Sequence, residues 1–160
     1  MKKRFLSLLL VLVLIMSLMP AALAVNADDA QPKTISVTFR LHTDTDEWIA
    51  PTEVSDLPEG TSVFTVFQKV LADKGYTYEY HEQYCYVQAI TAPDGTRLAE
   101  FGKGKNSGWL FRVNNDFADV GMNDFVLMDG DEIEVLYTAD YEKEPGMSLP
   151  YTDVSWDHWA

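Results

Sequence analysis

A short loop of glycine, lysine and other polar residues stands directly before an aromatic strand, at residues 101–107 (FGKGKNS). Loops of this kind on a rigid scaffold often bind ligands, although the same loop can equally be a plain connection. Trp109 follows Gly108 at the start of the strand, where a large ring can cover a ligand with apolar area at little cost in side-chain entropy. Alternation along the strand also allows the opposite placement, in which Trp109 faces the core. Two interpretations of Trp109 therefore stand.

Other groups of residues have types that could bind a metal, but their spacing argues against it. Residues 81–85 (HEQYC) differ from the zinc-protease pattern H-E-x-x-H at the fifth position and alternate as a strand, whereas two ligands four residues apart need a helix to share a face. The acidic runs Asp44 to Glu47 and Asp129 to Glu132 lack the spacing of an EF-hand loop. The sequence also lacks a nucleophile elbow, a phosphate loop and a dinucleotide fingerprint. We therefore predict no metal site, no cofactor, no catalytic residues and no enzymatic activity.

The first 24 residues have the parts of a signal peptide. Lys2, Lys3 and Arg4 precede an apolar run, and the small residues at 22–24 (ALA) form a cleavage site. An uncleaved anchor helix is the alternative, which the nearby Pro20 disfavours. Without the leader, nine basic residues face 25 acidic ones, a net charge of −16. We therefore expect a secreted or cell-surface protein with no nucleic-acid partner and no stable membrane span.

The 136 residues after the leader are enough for one domain with a core. Cys85 is the single cysteine, so no internal disulfide can form and packing must hold the core. We expect Cys85 to be a small buried hydrophobe rather than a reactive thiol. Alternating apolar residues predict strands, with a short edge strand or extended segment around Pro51. These strands are 34–42, 48–54, 76–81, 84–90, 109–113 and 133–137.

One amphipathic helix is predicted at residues 62–74. Apolar residues recur at helical spacing, Thr61 or Ser62 can cap the start, and Gly75 supplies the stop. Because so short a helix is marginal alone in water, it must pack against the strands on either side. The order of elements predicts an α+β domain, with one helix packed across a sheet. The predicted core positions are Val37, Phe39, Val66, Phe67, Val70, Leu71, Phe111, Ile133 and Val135.

Turns and tyrosines complete the pattern. Asn114-Asn115 tolerates the left-handed backbone of a tight turn, and residues 129–131 (DGD) form an acidic turn before the last strand. Five tyrosines fall within residues 76–86. They favour cross-strand packing, with a partly exposed aromatic wall for a flat ligand or a glycan as the alternative.

The last strands also carry a family resemblance. The residues 108–109 (GW), 113–114 (VN) and 129–133 (DGDEI), followed by Tyr137, resemble the bacterial relatives of the C-terminal domain of transcobalamin and intrinsic factor. The resemblance covers about residues 34–137, with Asn115 where the family often has glycine. Those relatives are mostly secreted or surface domains of unknown function, grouped with the soluble-ligand-binding β-grasp proteins. The resemblance therefore implies a single β-grasp-like domain with a mixed sheet of about five strands. It also implies a non-catalytic module that binds a small soluble ligand, such as a corrinoid.

In the vertebrate cobalamin carriers this domain closes over the corrin with a loop and a hairpin. The matching neighbourhood here is Gly104 to Trp109, so the resemblance makes Lys105, Asn106, Ser107 and Trp109 the candidate ligand-binding residues. The alternative function is a structural or adhesive spacer of a wall-anchored surface protein. An aromatic groove beside Trp109 would favour the ligand, and a featureless surface would favour the spacer.

The chain ends in a second resemblance. Residues 151–160 (YTDVSWDHWA) are similar to the opening of a surface-layer homology repeat, a module that binds cell-wall polymers, and so imply cell-wall association. The predicted organisation is a signal peptide at 1–24, a flexible lead-in at 25–33, the β-grasp-like domain at 34–138, an acidic linker at 139–150 and this motif at 151–160.

Overall fold

The computed structural model describes residues 33–82 and 86–147. The predicted signal peptide, Cys85 and the surface-layer motif lie outside these residues. In the described part, no helix is long and apolar enough to cross a membrane. The elements are β1 (Thr34–Thr43), β2 (Glu47–Pro58), α1 (Val63–Lys74), β3 (Thr77–His81), β4 (Tyr86–Thr91), β5 (Arg97–Ala99), β6 (Gly108–Val113), β7 (Asp116–Phe117), β8 (Glu132–Thr138) and a 3-10 turn, η1 (Tyr141–Lys143).

A mixed five-stranded sheet, in the order β2-β1-β8-β6-β7, forms the larger layer. Its neighbours β1 and β8 run parallel, with Phe39 opposite Ile133 and Leu41 opposite Val135, while the other neighbouring pairs are antiparallel. Because successive side chains alternate between the two faces, this register collects the apolar residues on one face. The predicted mixed sheet of about five strands is confirmed.

The helix α1 buries the stripe that its sequence predicts. Ser62 is the N-cap, and its side chain accepts a hydrogen bond from the amide of Thr65 at 3.3 Å. The hydroxyl of Thr61 instead donates to the carbonyl of Pro58 at 2.7 Å. Gly75 ends the helix with φ 78°, a left-handed conformation that glycine adopts without steric cost. The buried helical residues, which join one core with β1 and β8, are Val63, Val66, Phe67, Val70 and Leu71.

The long connection from β7 to β8 closes the N-terminus of α1. The amide of Val63 donates to the carbonyl of Phe125 and the amide of Phe64 to the carbonyl of Met122, both at 3.0 Å. The first amides of a helix have no partner within the helix. Here the connection supplies those partners, so the helix start is fixed against the rest of the domain.

The predicted core is confirmed except at Phe111. The other predicted positions are buried, whereas Phe111 is half-buried and contacts Phe125 edge to face, with ring centroids 6.4 Å apart. Trp109 and Val113, on the same face of β6, are buried, so the exposure of Phe111 is local to the place where it meets Phe125 of the connection between β7 and β8.

A second, three-stranded antiparallel sheet, β3-β4-β5, was not predicted as a separate layer. Its tyrosines pack on α1. Phe64 stacks on Tyr80 at 4.4 Å between ring centroids, and Phe67 meets Tyr78 at 5.1 Å. Both tyrosines are half-buried and pack against the helix, whereas the sequence pattern predicts packing across strands.

The edge strand β2 is longer than the predicted segment at 48–54. Its pairing with β1 contains three register shifts. The backbone of Asp56 has φ 58°, in the left-handed region. Pro51 lies within β2, a position that the sheet edge tolerates.

Two turns at the end of the domain are joined. Asn114 and Asn115 have φ 54° and 70°, which confirms the tight turn between β6 and β7. The side-chain amide of Asn114 donates to Asp131 at 2.8 Å, and Gly130 has φ 86°. The acidic turn before β8 therefore holds the β6–β7 hairpin in place.

Candidate functional site

The connection between β5 and β6, residues 100–107, is a compact loop closed by its own hydrogen bonds. The amide of Phe101 donates to the carbonyl of Ser107 at 2.8 Å, and the amide of Ser107 donates to the carbonyl of Gly104 at 3.0 Å. The amide of Gly102 donates to the carbonyl of Ala99 at 3.1 Å. Satisfied backbone groups give the 100–107 loop a defined shape.

Ser107 is the centre of this loop. Its side chain is 2% exposed; the hydroxyl accepts from the amide of Lys103 and donates to the carbonyl of Gly104, both at 2.9 Å. The hydroxyl of buried Tyr137 lies 3.3 Å from it and donates to the carbonyl of Ala99 at 2.8 Å. In the structure Ser107 serves the loop, and ligand contact by Ser107 stays a prediction.

Trp109 lies in the core. Trp109 is 2% exposed and lies opposite Tyr137 of β8 in the sheet. The indole N–H donates to the carbonyl of Leu98 at 3.0 Å, and the ring contacts Tyr137 at 5.1 Å and Trp48 at 5.7 Å between centroids. Of the two interpretations of Trp109, the structure agrees with the one in which the ring faces the core, because the side chain lies on the inward face of β6. Trp109 packs beneath the 100–107 loop, and its ring is too buried for a ligand to contact it.

Gly108 makes the close approach of β6 to β4 possible. A Cβ atom added there would lie 2.5 Å from the hydroxyl oxygen of Tyr86. Burial raises the pKa of Tyr86, and the charge of Glu100 adds to the rise, while a hydrogen bond with the backbone of Trp109 opposes it. The phenol therefore remains neutral, and it fixes the point where the loop enters β6.

Asn106 faces the segment after β8. Its side-chain amide donates to the carboxylate of Asp140 at 3.2 Å, and its backbone carbonyl accepts from the backbone amide of Tyr141 at 2.9 Å. The amide of Ala139 donates to Asp44 at 3.2 Å. The segment predicted as a linker thus begins with a stretch that is hydrogen-bonded to the domain. Of the four predicted site residues, Lys105 alone is exposed.

The feature that the sequence prediction missed is Phe101. Its side chain is 53% exposed, and its backbone has φ 60°. A positive φ is uncommon outside glycine and is a clear outlier for a bulky residue, at a cost of about 1–3 kcal/mol. The sequence signal was a single large apolar residue at the start of a small polar loop. The backbone conformation itself could not be predicted from it.

A second cluster of charged residues lies on the outer face of the five-stranded sheet. Nε2 of His42 is 2.7 Å from one carboxylate oxygen of Glu134, and Arg112 donates to the other. Arg40 lies 3.5 Å from the same carboxylate. Burial raises the pKa of Glu134, but the hydrogen bonds and charges of Arg112 and His42 outweigh it and hold the pKa below its usual value. The cluster is an ion-pair network that joins three strands, β1, β8 and β6.

Two of the depressions on the described surface lie away from the 100–107 loop. One of about 260 Å³ lies between β1, β2 and the acidic turn at residues 129–130. Another of about 190 Å³ lies over the sheet face near Arg40 and Glu134. Across residues 33–82 and 86–147, no group of three or more His, Cys, Asp or Glu residues is arranged to hold a metal ion.

A family model described as "Domain of unknown function (DUF4430)" matches residues 60–139, half of the chain. The protein belongs to the DUF4430 family. The matched region begins just before α1 and contains the three-stranded sheet, the 100–107 loop and β8. The predicted surface-layer motif at 151–160 lies outside it. No protein of curated function matches the sequence.

The solved structures that are similar to this chain include the following two. Haptocorrin in complex with Cbi is 19% identical over 67% of this chain, with a TM-score of 0.48, and the match spans 25% of the haptocorrin chain. A protein from Ruminococcus gnavus ATCC 29149 with a proposed metal-binding role is 18% identical over 64% of this chain and 95% of its own, with a TM-score of 0.43. The DUF4430 chain therefore corresponds to about a quarter of haptocorrin.

Proposed function

We propose that this DUF4430 protein is a non-catalytic binding module whose contact surface is the 100–107 loop. One observation carries the proposal, namely the 53% exposed ring of Phe101 on a backbone at φ 60°. Burying a Phe side chain is worth about 1.5–3 kcal/mol, and the backbone conformation costs about 1–3 kcal/mol. The exposed ring and the strained backbone both raise the free energy of the unliganded protein. A ligand that covers the Phe101 ring recovers the free energy of burying that ring.

The rest of the loop suits a fixed recognition surface. Phe101 and Lys105 face solvent, while Ser107 and Trp109 hold the loop in place. A small soluble ligand with a flat face, such as a corrinoid or a sugar ring, can stack on the Phe101 ring. The strand order β2-β1-β8-β6-β7 with its parallel central pair supports a β-grasp-like assignment for the scaffold.

We also propose that the module works outside the cell, secreted or at the cell surface. The signal-like leader at residues 1–24 and the acidic composition support export. The motif at residues 151–160 supports association with the cell wall. The pairing of Glu134 with His42 and Arg112 supports a structural rather than a catalytic role for the charged cluster.

The test is direct binding. The purified protein is titrated calorimetrically with a panel of corrinoids and neutral and acidic cell-wall glycans, beside the variant Phe101→Asn. Asparagine tolerates positive φ, so the variant removes the ring without new backbone strain. The matched control is Met128→Gln, because Met128 is 74% exposed on another connection. We expect at least one panel member to bind, and Phe101→Asn to weaken it about tenfold, or about 1.4 kcal/mol. Binding that survives Phe101→Asn unchanged contradicts the assignment of the surface.

The burial of Trp109, at 2% exposure, favours a second candidate function. Because the Trp109 ring is buried and cannot line a groove beside the loop, the domain also fits a spacer or adhesive unit of a surface protein. Failure of the intact, folded protein to bind any member of the panel supports the spacer.

A further inference from the structure

Residues 101–107 of the 100–107 loop are a cationic stretch of an acidic protein. The chain has 25 Asp and Glu residues against 12 Lys and Arg residues, yet residues 101–107 contain two lysines and no acid. With such an excess of carboxylates, most exposed cations elsewhere are paired. The basic residues that pair with carboxylates on the surface include Lys33, Lys69, Arg97 and Lys143.

Lys103 and Lys105 form no ion pair within residues 33–82 and 86–147. The ammonium group of Lys103 lies 5.5 Å from the centroid of the buried Tyr137 ring, a contact that attracts the cation without neutralising it. Lys105 is exposed next to Gly104. Among the described residues Lys74 also has no carboxylate partner, but it lies in the last turn of α1, where the helix dipole favours a cation.

The acids nearest to residues 101–107 form no ion pair with the two lysines in the part of the chain that the structure describes. Glu100, at the start of the loop, accepts a hydrogen bond from the neutral side-chain amide of Gln88 at 2.9 Å and keeps its charge. Asp140 pairs with Lys143 at 2.6 Å and also accepts from Asn106. Even against Glu100, the two lysines leave the loop with one cation that no described carboxylate neutralises.

We infer that the ligand of the 100–107 loop carries a carboxylate beside a flat apolar face. This inference rests on the proposed function of the loop and adds the charge of the ligand. The apolar face covers Phe101, and the carboxylate pairs with Lys103 or Lys105. A neutral ligand would leave both ammonium groups unused, and an acidic ligand is repelled by the rest of the surface. An acidic saccharide and an acidic corrin ring share this chemistry.

Matched acids and esters test the inference. The purified protein is titrated with trigalacturonic acid and its methyl ester, and with cobyrinic acid and its methyl ester, at low and high salt. The variant Lys103→Gln/Lys105→Gln removes both loop charges, and Lys69→Gln/Lys74→Gln makes the same change in net charge on α1. We expect one of the acids to bind at least tenfold more tightly than its ester. The loop variant should lose about tenfold, the helix variant less than twofold, and high salt should weaken the parent.

The outcomes separate the inferred charge of the ligand from the proposed binding function of the loop. If an ester binds as tightly as its acid and Phe101→Asn weakens both, the inferred charge is wrong while the proposed function stands. If an acid binds equally well to the parent and to Lys103→Gln/Lys105→Gln, the lysines are not the partners and the inference is wrong. If no acid or ester binds, the inference is wrong, and the wider panel with Phe101→Asn decides separately whether the loop binds a neutral ligand. The acid that binds identifies the saccharide or the corrin source.

Discussion

Replacing Trp109 by alanine is expected to destabilise the domain by about 3–5 kcal/mol, the range for truncating a large buried aromatic residue. The residue is 2% exposed and meets Tyr137 edge to face at 5.1 Å. Its N–H also donates to the carbonyl of Leu98 at 3.0 Å. Truncation leaves that carbonyl without its partner, at about 1–3 kcal/mol if it stays out of water. We therefore expect a loss in the upper half of the range.

Urea denaturation followed by far-UV circular dichroism measures this loss without relying on tryptophan emission. For a protein with an m-value of about 1–3 kcal/mol/M, a loss of about 4 kcal/mol moves the midpoint by about 1.3–4 M. The control Trp109→Phe keeps a ring and removes the N–H, so it should cost less than the alanine variant. A midpoint for Trp109→Ala within about 0.3 M of the parent would refute the placement of this ring in the core.

Three other contacts give measurable outcomes. The pKa of Glu134 lies below its ordinary value of 4.5, so the ionised carboxylate stabilises the fold above pH 4.5 and this stabilisation is lost as the pH falls through the folded-state pKa. The melting temperature of Glu134→Gln should therefore fall less than that of the parent between about pH 6 and about pH 3; equal falls in the two proteins would contradict the ion pairing. Gly108→Ala places a Cβ atom 2.5 Å from the hydroxyl of Tyr86 and should cost about 1–3 kcal/mol, but less in Tyr86→Phe; additive costs in this double-mutant cycle would exclude the clash. Ser62→Ala removes the N-cap of α1 and should cost about 1 kcal/mol, which an unchanged melting temperature would disprove.

Local patterns of the chain predicted local structure. The apolar spacing of α1, its cap at Ser62 and its stop at Gly75 are set within a few residues, and so is the left-handed turn at Asn114 and Asn115. The division of the strands into two sheets depends on contacts between distant residues. One of them is the hydrogen bond from the Tyr76 hydroxyl to the carbonyl of Trp48 at 2.7 Å. No periodicity of either segment encodes that partner.

The sequence indicated the candidate loop, but it did not indicate which side chains of the loop point to solvent and which point to the core. Glycines and lysines marked the 100–107 loop, because such composition is typical of a connection. The face taken by Trp109 depends on its register with Tyr137, which two distant strands decide together. The exposure of Phe101 follows from a backbone at φ 60°, which the closing hydrogen bonds of the loop impose. Side-chain direction at the site is therefore a property of the assembled fold.

The irregular pairing of β2 affects how copies of the domain behave together. A foreign strand that extends a sheet needs an unbroken row of evenly spaced donors and acceptors. The three register shifts of β2 interrupt that row, and Pro51 removes a donor from it. At the opposite edge, β7 offers only two residues, Asp116 and Phe117. Within the described residues, neither edge of the five-stranded sheet therefore offers a long unbroken row for another copy of the domain to pair with, which disfavours polymerisation through this sheet at high concentration.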